Sequence, residues 1–244
     1  MSISYLGPFN SWEEARKLSS GYCSEKILES VLETTKAVVK GEYLFERDSV
    51  GFKKPSYEWP MCTAIFSAMN KNNGKLSLLD FGGSLASRYF QHINLFGHDA
   101  LEWNIVEQEH FVKAGKELFK NRNLNFFNTI EDCFKEKKID FVLLSSVLQY
   151  LKDPFRTIRE LLNLQPKGVF IDRTYVSKIC DSLIYVQQNN EDICESSYPF
   201  FLLSEETLIS SLNGFKMAFD FKSNYTPESL KDINGNLKGY YFTF

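Results

Sequence analysis

The chain has 244 residues, 43% of them hydrophobic and 22 of them Phe, which is enough apolar material for one large α/β domain or at most two small ones. Its 28 Lys and Arg residues face 31 Asp and Glu residues, a net charge of −3 without a long run of one sign, so a surface that binds nucleic-acid phosphates is not expected. The longest apolar-rich stretch, 139–151, contains Asp140 and is too short to cross a membrane as a helix.

The N-terminus and the cysteines both bear on location. Residues 1–10 lack the basic start and apolar run of a secretory signal. The five cysteines are odd in number and show no C-x-x-C spacing: Cys23, Cys62, Cys133, Cys180 and Cys194. Such cysteines are typical of buried thiols in a reducing compartment, so we expect a cytoplasmic protein without a disulfide framework.

The N-terminal third predicts mostly helices. A turn is predicted over 7–11, and helices are predicted over 12–20, 24–40 and 60–70. Ser11 is a suitable N-cap for the first helix, with Glu14 completing a capping box. Residues 42–59 are polar and aromatic without periodicity, which predicts an ordered loop. This loop is either an N-terminal connector or a lid over a site.

The most informative stretch is 76–87, which reads Leu-Ser-Leu-Leu-Asp-Phe-Gly-Gly-Ser-Leu-Ala-Ser. Its apolar start predicts a buried strand that ends at Asp80, and a helix is expected after Ser84, to about residue 95. The small residues that follow the acid allow the backbone to approach a bound molecule. Because Gly82 and Gly83 are adjacent, the stretch is not a G-x-G-x-x-G dinucleotide motif, and an ordinary Gly-Gly turn is the alternative.

A second acid strengthens the case for a ligand site. Residues 102–107 predict the next strand, which ends at Glu107, and the interval from Asp80 fits one crossover helix between parallel neighbours. Ligands of open parallel sheets bind at the carboxyl ends of the strands, where a carboxylate can accept both hydroxyls of a ribose. The two acids together therefore indicate a nucleoside-binding edge.

The remaining pattern predicts a doubly wound parallel sheet. Strands are predicted over 124–127, 139–146 and 168–174, and helices over 111–119, 129–136, 154–164 and 204–212. Residues 180–201 form a polar insertion rich in aromatic residues. Two final strands, over 215–222 and 239–244, predict an antiparallel hairpin at the edge of the sheet.

These features resemble class I S-adenosylmethionine-dependent methyltransferases over about residues 60–244. More specific strings, which span most of the chain, resemble a family described as methyltransferases of bacterial surface-polysaccharide gene clusters. The strings are Gly-Pro-Phe-x-Ser-Trp near the start, Glu46-Arg-Asp-Ser49, Asp80-Phe-Gly-Gly-Ser-Leu85, Val106-Glu-Gln108, Leu144-Ser-Ser-Val-Leu-Gln-Tyr-Leu-Lys-Asp-Pro154 and Ile171-Asp-Arg-Thr174.

The resemblance implies a Rossmann-like sheet of seven strands, mostly parallel with an antiparallel C-terminal hairpin. An N-terminal helical cap and lid would occupy 1–72 and a methyltransferase domain 73–244, within one compact unit. The cofactor would be S-adenosyl-L-methionine, without a metal. The acceptor would be a small molecule such as a sugar nucleotide, a sugar hydroxyl or a phosphate-containing precursor in capsule or lipopolysaccharide synthesis.

The resemblance also assigns cofactor contacts. Gly82 and Gly83 would approach the methionine part, and Asp80 would organise the loop or meet the amino group. Glu107 would bind the ribose. The remaining contacts would come from Gln108 beside the adenosine, from Asn128, Thr129 and Ile130 near the adenine, and from Ser145 and Ser146 near the sulfonium. Ser84 and Ala86 depart from the family pattern, because the broader superfamily has glycine there.

On the acceptor side, the candidates are Arg173 with Asp172, Arg47 with Asp48, and Tyr150 with Gln149. Arg173 would bind a phosphate or carboxylate, or form an ion pair with Asp172. Surface pairing is the alternative for Arg47, and helix packing is the alternative for Tyr150.

Histidines and lid aromatics complete the acceptor-side candidates. His92, His98 and His110 are possible bases, although local hydrogen bonding is the expected role of each. Tyr57 and Trp59 would stack on a ring or close the lid. Two other functions stay open: a non-catalytic module that binds S-adenosylmethionine, and a nucleotide-sugar or NAD-dependent enzyme.

Overall fold

The computed structural model describes residues 2–20, 24–119, 123–178, 181–190, 196–223 and 227–244. Its strands and helices, in chain order, are β1 (Ser2–Phe9), α1 (Trp12–Lys17), α2 (Ser24–Val39), β2 (Phe45–Arg47), β3 (Val50–Phe52), α3 (Trp59–Lys71), β4 (Leu76–Phe81), α4 (Ser87–Phe96), β5 (Leu101–Val106), α5 (Glu109–Leu118), β6 (Leu124–Phe127), α6 (Ile130–Glu136), β7 (Phe141–Ser145), α7 (Pro154–Leu162), β8 (Gly168–Ser177), β9 (Leu183–Asn190), β10 (Ser196–Ser204), α8 (Glu205–Ser210), β11 (Lys216–Lys222), α9 (Ser229–Asp232) and β12 (Asn236–Thr243). A short 3₁₀ turn spans Leu148–Tyr150.

Seven strands of the sheet follow the order β6-β5-β4-β7-β8-β12-β11. The first five are parallel, β12 is antiparallel to β8, and β11 is antiparallel to β12. Because β4 and β7 lie in the middle and are covered on both faces, nearly all of their residues are buried. The predicted seven-stranded, mostly parallel sheet with its antiparallel C-terminal hairpin is therefore confirmed.

Three further strands enlarge the sheet to ten. β1 pairs with β9, and β9 pairs with β10, all antiparallel. The turn predicted over 7–11 is wrong in its first part, because β1 continues to Phe9 with an irregularity between Leu6 and Phe9 that accommodates Pro8. The polar insertion predicted over 180–201 contains most of the β9–β10 hairpin.

The extra strands attach at the carboxyl edge of the sheet. Asp172 in β8 pairs with Ser145, the last residue of β7, and β8 then continues to Ser177. At its far end β8 pairs in parallel with Leu203 and Ser204 of β10. The meander of β10, β9 and β1 therefore begins just beyond the end of β7, on the side where parallel sheets bind their ligands.

The loop predicted over 42–59 contains a small element. β2 and β3 form an antiparallel hairpin in which Phe45 and Phe52 stack at 4.8 Å between ring centroids. The prediction of a loop without an element is therefore wrong for these residues. The two strands are too short for the alternation that identifies a strand in sequence.

Helices cover both faces of the sheet. One apolar core packs α3, α4 and α5 on one face, and a second packs α6, α7 and α8 on the other. Predicted caps are confirmed at Ser11 and Ser204, whose hydroxyls accept backbone N–H groups of Glu14 and Thr207.

Buried cysteines and the absence of a membrane helix complete the description. Cys62 and Cys133 are buried free thiols, as predicted, whereas Cys23, Cys180 and Cys194 lie outside the described residues. Among the described ranges, no helix combines the length and apolar content that crossing a membrane requires.

Candidate active site

The loop after β4 folds back over the strand that it leaves. Gly82 adopts a left-handed backbone with φ of +76°, and its N–H donates to the carbonyl of Val106 at 2.9 Å. A Cβ on Gly83 would lie 2.6 Å from Oδ2 of Asp80. Only a residue without a side chain fits at Gly83, so the loop is narrow.

Asp80 lies beneath this loop and is 1% exposed. Its Oδ2 accepts a hydrogen bond from Nε1 of Trp103 at 3.0 Å. Burial raises the pKa of Asp80 to about 7, against the effects of Trp103 and of the nearby Arg88. Of the two roles expected for Asp80, this burial favours organising the loop over open contact with a ligand.

Ser84 and Ala86 continue the loop in a conformation that suits glycine. Their φ angles are +52° and +67°, in the left-handed region that costs an L-residue about 1 kcal/mol or more. The backbone at both positions therefore keeps the shape that glycine favours, although this sequence carries Ser and Ala.

Glu107 stands against the same loop. β4 and β5 are parallel with Phe81 opposite Val106, so Glu107 leaves β5 beside the start of the loop. Its carboxylate accepts the backbone N–H of Gln108 at 2.6 Å and is also bonded by the backbone of Ser84. Burial raises the pKa of Glu107, and the two N–H donors oppose that rise. The loop after Asp80 and the carboxylate at 107 therefore lie on one rim.

The loop after β6 lies next along this rim. The backbone N–H of Glu107 donates to the carbonyl of the last residue of β6 at 3.1 Å. Asn128 and Thr129 are exposed, and Ile130 is half-buried. The hydroxyl of Thr129 accepts the backbone N–H of Asp132 and so caps α6. Asn128 follows the residue that pairs with Glu107, and its amide has no hydrogen bond within the described residues.

Ser145 and Ser146 end β7 on the other side of β4. Ser146 is left-handed, with φ of +56°, and its N–H donates to the carbonyl of Asp172 at 2.9 Å. The hydroxyl of Ser145 accepts from Nη2 of Arg88 at 3.2 Å. Ser145 therefore contacts a polar cluster that continues the rim away from Glu107.

Arg88 is the centre of this cluster. It lies in the first turn of α4, with a side chain that is only 7% exposed. Its Nη1 pairs with Oε1 of Glu58 at 3.2 Å, and its Nη2 lies 3.6 Å from Oδ2 of Asp172. Arg88 thus compensates two carboxylates from different elements.

Arg173 is close to this cluster but has no carboxylate partner. Asp172 accepts the backbone N–H of Arg173 at 2.7 Å, and no acid among the described residues forms an ion pair with its guanidinium. Its guanidinium makes a long hydrogen bond of 3.5 Å to the hydroxyl of Ser145, and its buried Nε has no partner among the described residues. The ion pair considered between Asp172 and Arg173 is therefore not formed.

The backbone at Arg173 is unusual for a strand. Its φ is +47°, and the pairing of β8 with β12 shifts by one residue, so that Asp172 and Arg173 both lie opposite Gly239. This is a β-bulge, a feature that redirects side chains next to functional sites. Left-handed backbone at such a residue costs about 1–3 kcal/mol.

Arg47 reaches the cluster from the β2–β3 hairpin. Its Nη2 pairs with the same oxygen of Glu58 at 3.0 Å, and its Nε is buried without a partner. The hairpin is fixed on α4 by the hydroxyl of Ser87, which donates to the carbonyl of Glu46 at 2.5 Å. Burial works against ionisation of Glu58, but Arg88 and Arg47 hold its pKa below the usual range.

Tyr150 points to a different part of the molecule. Its hydroxyl donates to Oε1 of Gln187 in β9 at 3.3 Å, and burial raises its pKa well above the usual value. Gln149, by contrast, donates to the carbonyl of Arg173 at 3.3 Å. The structure therefore places Gln149 at the cluster and Tyr150 against the β9–β10 hairpin.

The three histidines differ in whether their ring nitrogens have hydrogen-bond partners. His92 is fully buried, its Nε2 accepts the backbone N–H of Glu58, and its Nδ1 lies 2.8 Å from the carbonyl of Arg88. Burial lowers its pKa to about 4, so His92 is neutral, and its expected local role is confirmed. His98 contacts a tyrosine hydroxyl, whereas Nε2 of His110 is buried without a partner.

Two lid aromatics lie at the outer border. Tyr57 contacts the ring of His92 at 6.2 Å and that of Trp59 at 5.5 Å. Trp59 itself is 62% exposed. Tyr57 therefore packs on the core, while the indole of Trp59 has an open face.

Comparison with solved structures identifies the fold. The N-terminal domain of EvdMO1 with SAH bound matches with a TM-score of 0.52 at 11% identity, over 86% of this chain and 94% of that one. The glycopeptide N-methyltransferase MtfA complexed with S-adenosyl-L-homocysteine matches with a TM-score of 0.50 at 12% identity, over 80% and 94%. The chain has the class I methyltransferase fold.

A third similar structure is the PH0226 protein from Pyrococcus horikoshii OT3. It matches with a TM-score of 0.50 at 13% identity, over 77% of this chain and 92% of that one. No protein-family model and no curated protein sequence matches the chain. At these identities the comparisons show the fold alone.

Two residues of the site were missed in sequence: Arg88 and Glu58. A signal for Arg88 was present, because it falls on the face of α4 that also carries Tyr89 and His92, all of them buried. A polar residue on the apolar face of a helix next to a ligand loop is a candidate for a buried network. Glu58 carries no comparable signal, since it precedes α3 in an irregular segment.

Proposed function

We propose that the chain is an S-adenosylmethionine-dependent methyltransferase. The observation that carries the proposal is the position of Glu107, whose carboxylate stands against the backbone of Ser84 in the narrow loop after Asp80. A carboxylate beside a close backbone approach is suited to a ribose next to a chain that lies along the loop. The methyltransferase fold supports the same reading.

In this proposal Glu107 accepts the ribose hydroxyls, and Gln108 with Asn128, Thr129 and Ile130 forms the adenine side. Gly82, Gly83 and Ser84 hold the amino-acid part through their backbone, while Asp80 keeps the loop in shape from below. Ser145 and Ser146 line the side that faces the acceptor.

The chemistry requires little of the protein. S-adenosylmethionine supplies a methyl group already activated by a sulfonium, so the residues of the site bind the acceptor, align it and exclude water. An acceptor oxygen or nitrogen that is already anionic or unprotonated needs no base, whereas a hydroxyl acceptor passes its proton to a base or to water as the new bond to the methyl group forms. His92 cannot take that proton near neutral pH, because its pKa is about 4 and both ring nitrogens are engaged.

The acceptor that we propose is a small molecule of surface-polysaccharide synthesis in the cytoplasm, such as a sugar or a sugar nucleotide. Its support is the resemblance of the strings around Glu46, Asp80, Leu144 and Ile171 to the polysaccharide-cluster family. Residues 1–72 would act as cap and lid, since Arg47 of the β2–β3 hairpin reaches the cluster that contains Asp172.

The test is calorimetric titration of the full chain with S-adenosylhomocysteine. We expect Glu107→Gln to weaken binding about 10- to 100-fold, because Gln keeps one neutral acceptor oxygen, and the loss of a hydrogen bond to a charged acceptor costs roughly 1.5–3 kcal/mol. Glu109→Gln is the matched control, since Glu109 is an exposed carboxylate in the first turn of α5. Equal affinity of both variants, or no binding by the wild-type chain, would contradict the proposal.

A further inference from the structure

The rim beyond Ser145 carries more buried positive charge than its acids compensate. Arg47, Arg88 and Arg173 come from β2, α4 and β8, and only Glu58 and Asp172 lie within ion-pair distance of any of them in the described ranges. Arg47 and Arg88 share Oε1 of Glu58, and Arg88 and Arg173 share the hydroxyl of Ser145, so the three guanidinium groups converge on one place. Burial and Arg88 lower the pKa of Arg173 to about 10 against the opposing charges of Asp172 and exposed Asp48, and neither acid is within ion-pair distance of Arg173 in the described residues.

Arg173 is the arginine of this cluster that forms no ion pair with an acid among the described residues. Arg88 uses both ends of its guanidinium on Glu58 and Asp172, and Arg47 uses one end on Glu58. Arg173 has a 3.5 Å contact with the hydroxyl of Ser145 and an orphaned Nε. A partly buried guanidinium without a counter-charge is destabilising unless a ligand supplies the anion.

The backbone conformation of Arg173 is unusual and bears on where its side chain lies. Strand residues normally have negative φ, whereas Arg173 has a φ of +47°. This conformation belongs to the β-bulge opposite Gly239, and the guanidinium of Arg173 contacts Ser145. Arg173 is half-buried, so part of its side chain stays within reach of a ligand. Left-handed backbone at a residue other than glycine is typical of functional positions.

The arginine cluster lies close to the proposed cofactor loop, and this position indicates the role of the cluster. Leu144 pairs with Phe81, so Ser145 follows β7 at the level where the loop leaves β4. We propose that Arg173, supported by Arg47, binds an oxyanion of the acceptor, either a phosphate or a carboxylate, beside the methyl-transfer site. This rests on the proposed function and narrows its acceptor to an anionic molecule.

The experiment follows thermal unfolding of the full chain at constant ionic strength, with chloride replaced by inorganic phosphate or by acetate. Phosphate also stabilises proteins by exclusion from their surface, so the difference between variants is the readout. Arg173→Gly removes the guanidinium and suits the left-handed backbone. Arg156→Gln is the control, because Arg156 is an exposed arginine paired with Glu160 on α7.

We expect phosphate or acetate to raise the melting temperature of the wild type and of Arg156→Gln by a few degrees more than that of Arg173→Gly. A response to one anion alone supports the site and identifies its ligand chemistry. In chloride, Arg173→Gly should unfold at or above the wild-type temperature, since it removes an unpaired charge and strain. The proposal would be overturned if Arg173→Gly melted below the wild type in chloride and still responded fully to the anions. It would also be overturned if phosphate and acetate stabilised the wild type no more than they stabilise Arg173→Gly.

Titration of the wild type with S-adenosylhomocysteine separates this result from the proposed function. An anion response that depends on Arg173 in a chain that does not bind S-adenosylhomocysteine would leave the anion site standing and reject the methyltransferase. Binding of S-adenosylhomocysteine without such a response would reject the anion site alone.

Discussion

Asp80 shows how a single buried residue couples the loop to pH. Its carboxyl is covered by Gly83 and has one hydrogen bond, to Trp103. Because burial raises its pKa from 3.8 to about 7, the folded chain holds a proton that the unfolded chain releases between these two values. The free energy of unfolding therefore falls as the pH rises from about 4 to about 7.

We expect Asp80→Asn to remove this contribution, because the amide is neutral at all pH values and its oxygen can still accept from Trp103. Between pH 5 and pH 8, the free energy of unfolding measured in urea should fall on the order of 3 kcal/mol more for the wild type than for Asp80→Asn. Exposed Asp99 provides the control Asp99→Asn, which should follow the wild type. Parallel pH profiles for wild type and Asp80→Asn would refute the assignment.

Residues of the proposed site differ in how well they could be predicted. Glu107 and the loop after Asp80 were predictable, because both follow buried parallel strands and such strand ends share one edge. Arg173 was predictable as a candidate, but its missing partner was not, since Asp172 is paired by Arg88 from another element. The partners that form in a polar cluster depend on where the side chains point, and the spacing of residues in the sequence does not give this direction.

At the scale of the element, the loop between β4 and α4 combines left-handed backbone with close packing. A Cβ on Gly82 would lie 2.8 Å from Cγ2 of Val147, a β-branched side chain with little freedom to move. Gly97, at the end of α4, has a similar φ of +85° but open space around it. The two glycines therefore separate the backbone cost from the packing cost.

We expect Gly97→Ala to lower the free energy of unfolding by about 1 kcal/mol, the cost of left-handed backbone. Gly82→Ala should lower it by a further 1–3 kcal/mol, because Val147 and the loop must shift. It should also weaken S-adenosylhomocysteine binding, which Gly97→Ala should leave unchanged. Urea unfolding and calorimetry measure the two effects, and equal losses for both variants would contradict this view of the loop.

Elements with regular patterns were predicted, and those with distant or polar partners were not. The strands from β4 to β8 have continuous apolar runs between turn signals, and the structure has them within a few residues. β1 was missed because Gly7-Pro8 reads as a turn and its partner, β9, is far along the chain. β9 was missed because Gln187, Gln188 and Asn189 hide its alternation.

For the whole molecule, the methyltransferase fold arranges two different chemistries along one edge of the sheet. The loops after β4, β5 and β6 offer small residues and a carboxylate, whereas Ser145 at the end of β7 and Arg173 in β8 lie with Arg88 of α4 in a cluster of arginines. The β2–β3 hairpin borders the arginines on one side, and the β10–β9–β1 meander begins beside β8. This division corresponds to the cofactor side and the acceptor side that we propose.

The most direct measurement is the crystal structure of the full chain grown with saturating S-adenosylhomocysteine. We expect the ligand on the rim after β4 and β5, with its ribose hydroxyls within hydrogen-bond distance of the Glu107 carboxylate and its amino-acid part along the backbone of Gly82 to Ser84. A ligand bound elsewhere, or a rim that stays free of it at saturating concentration, would contradict the account.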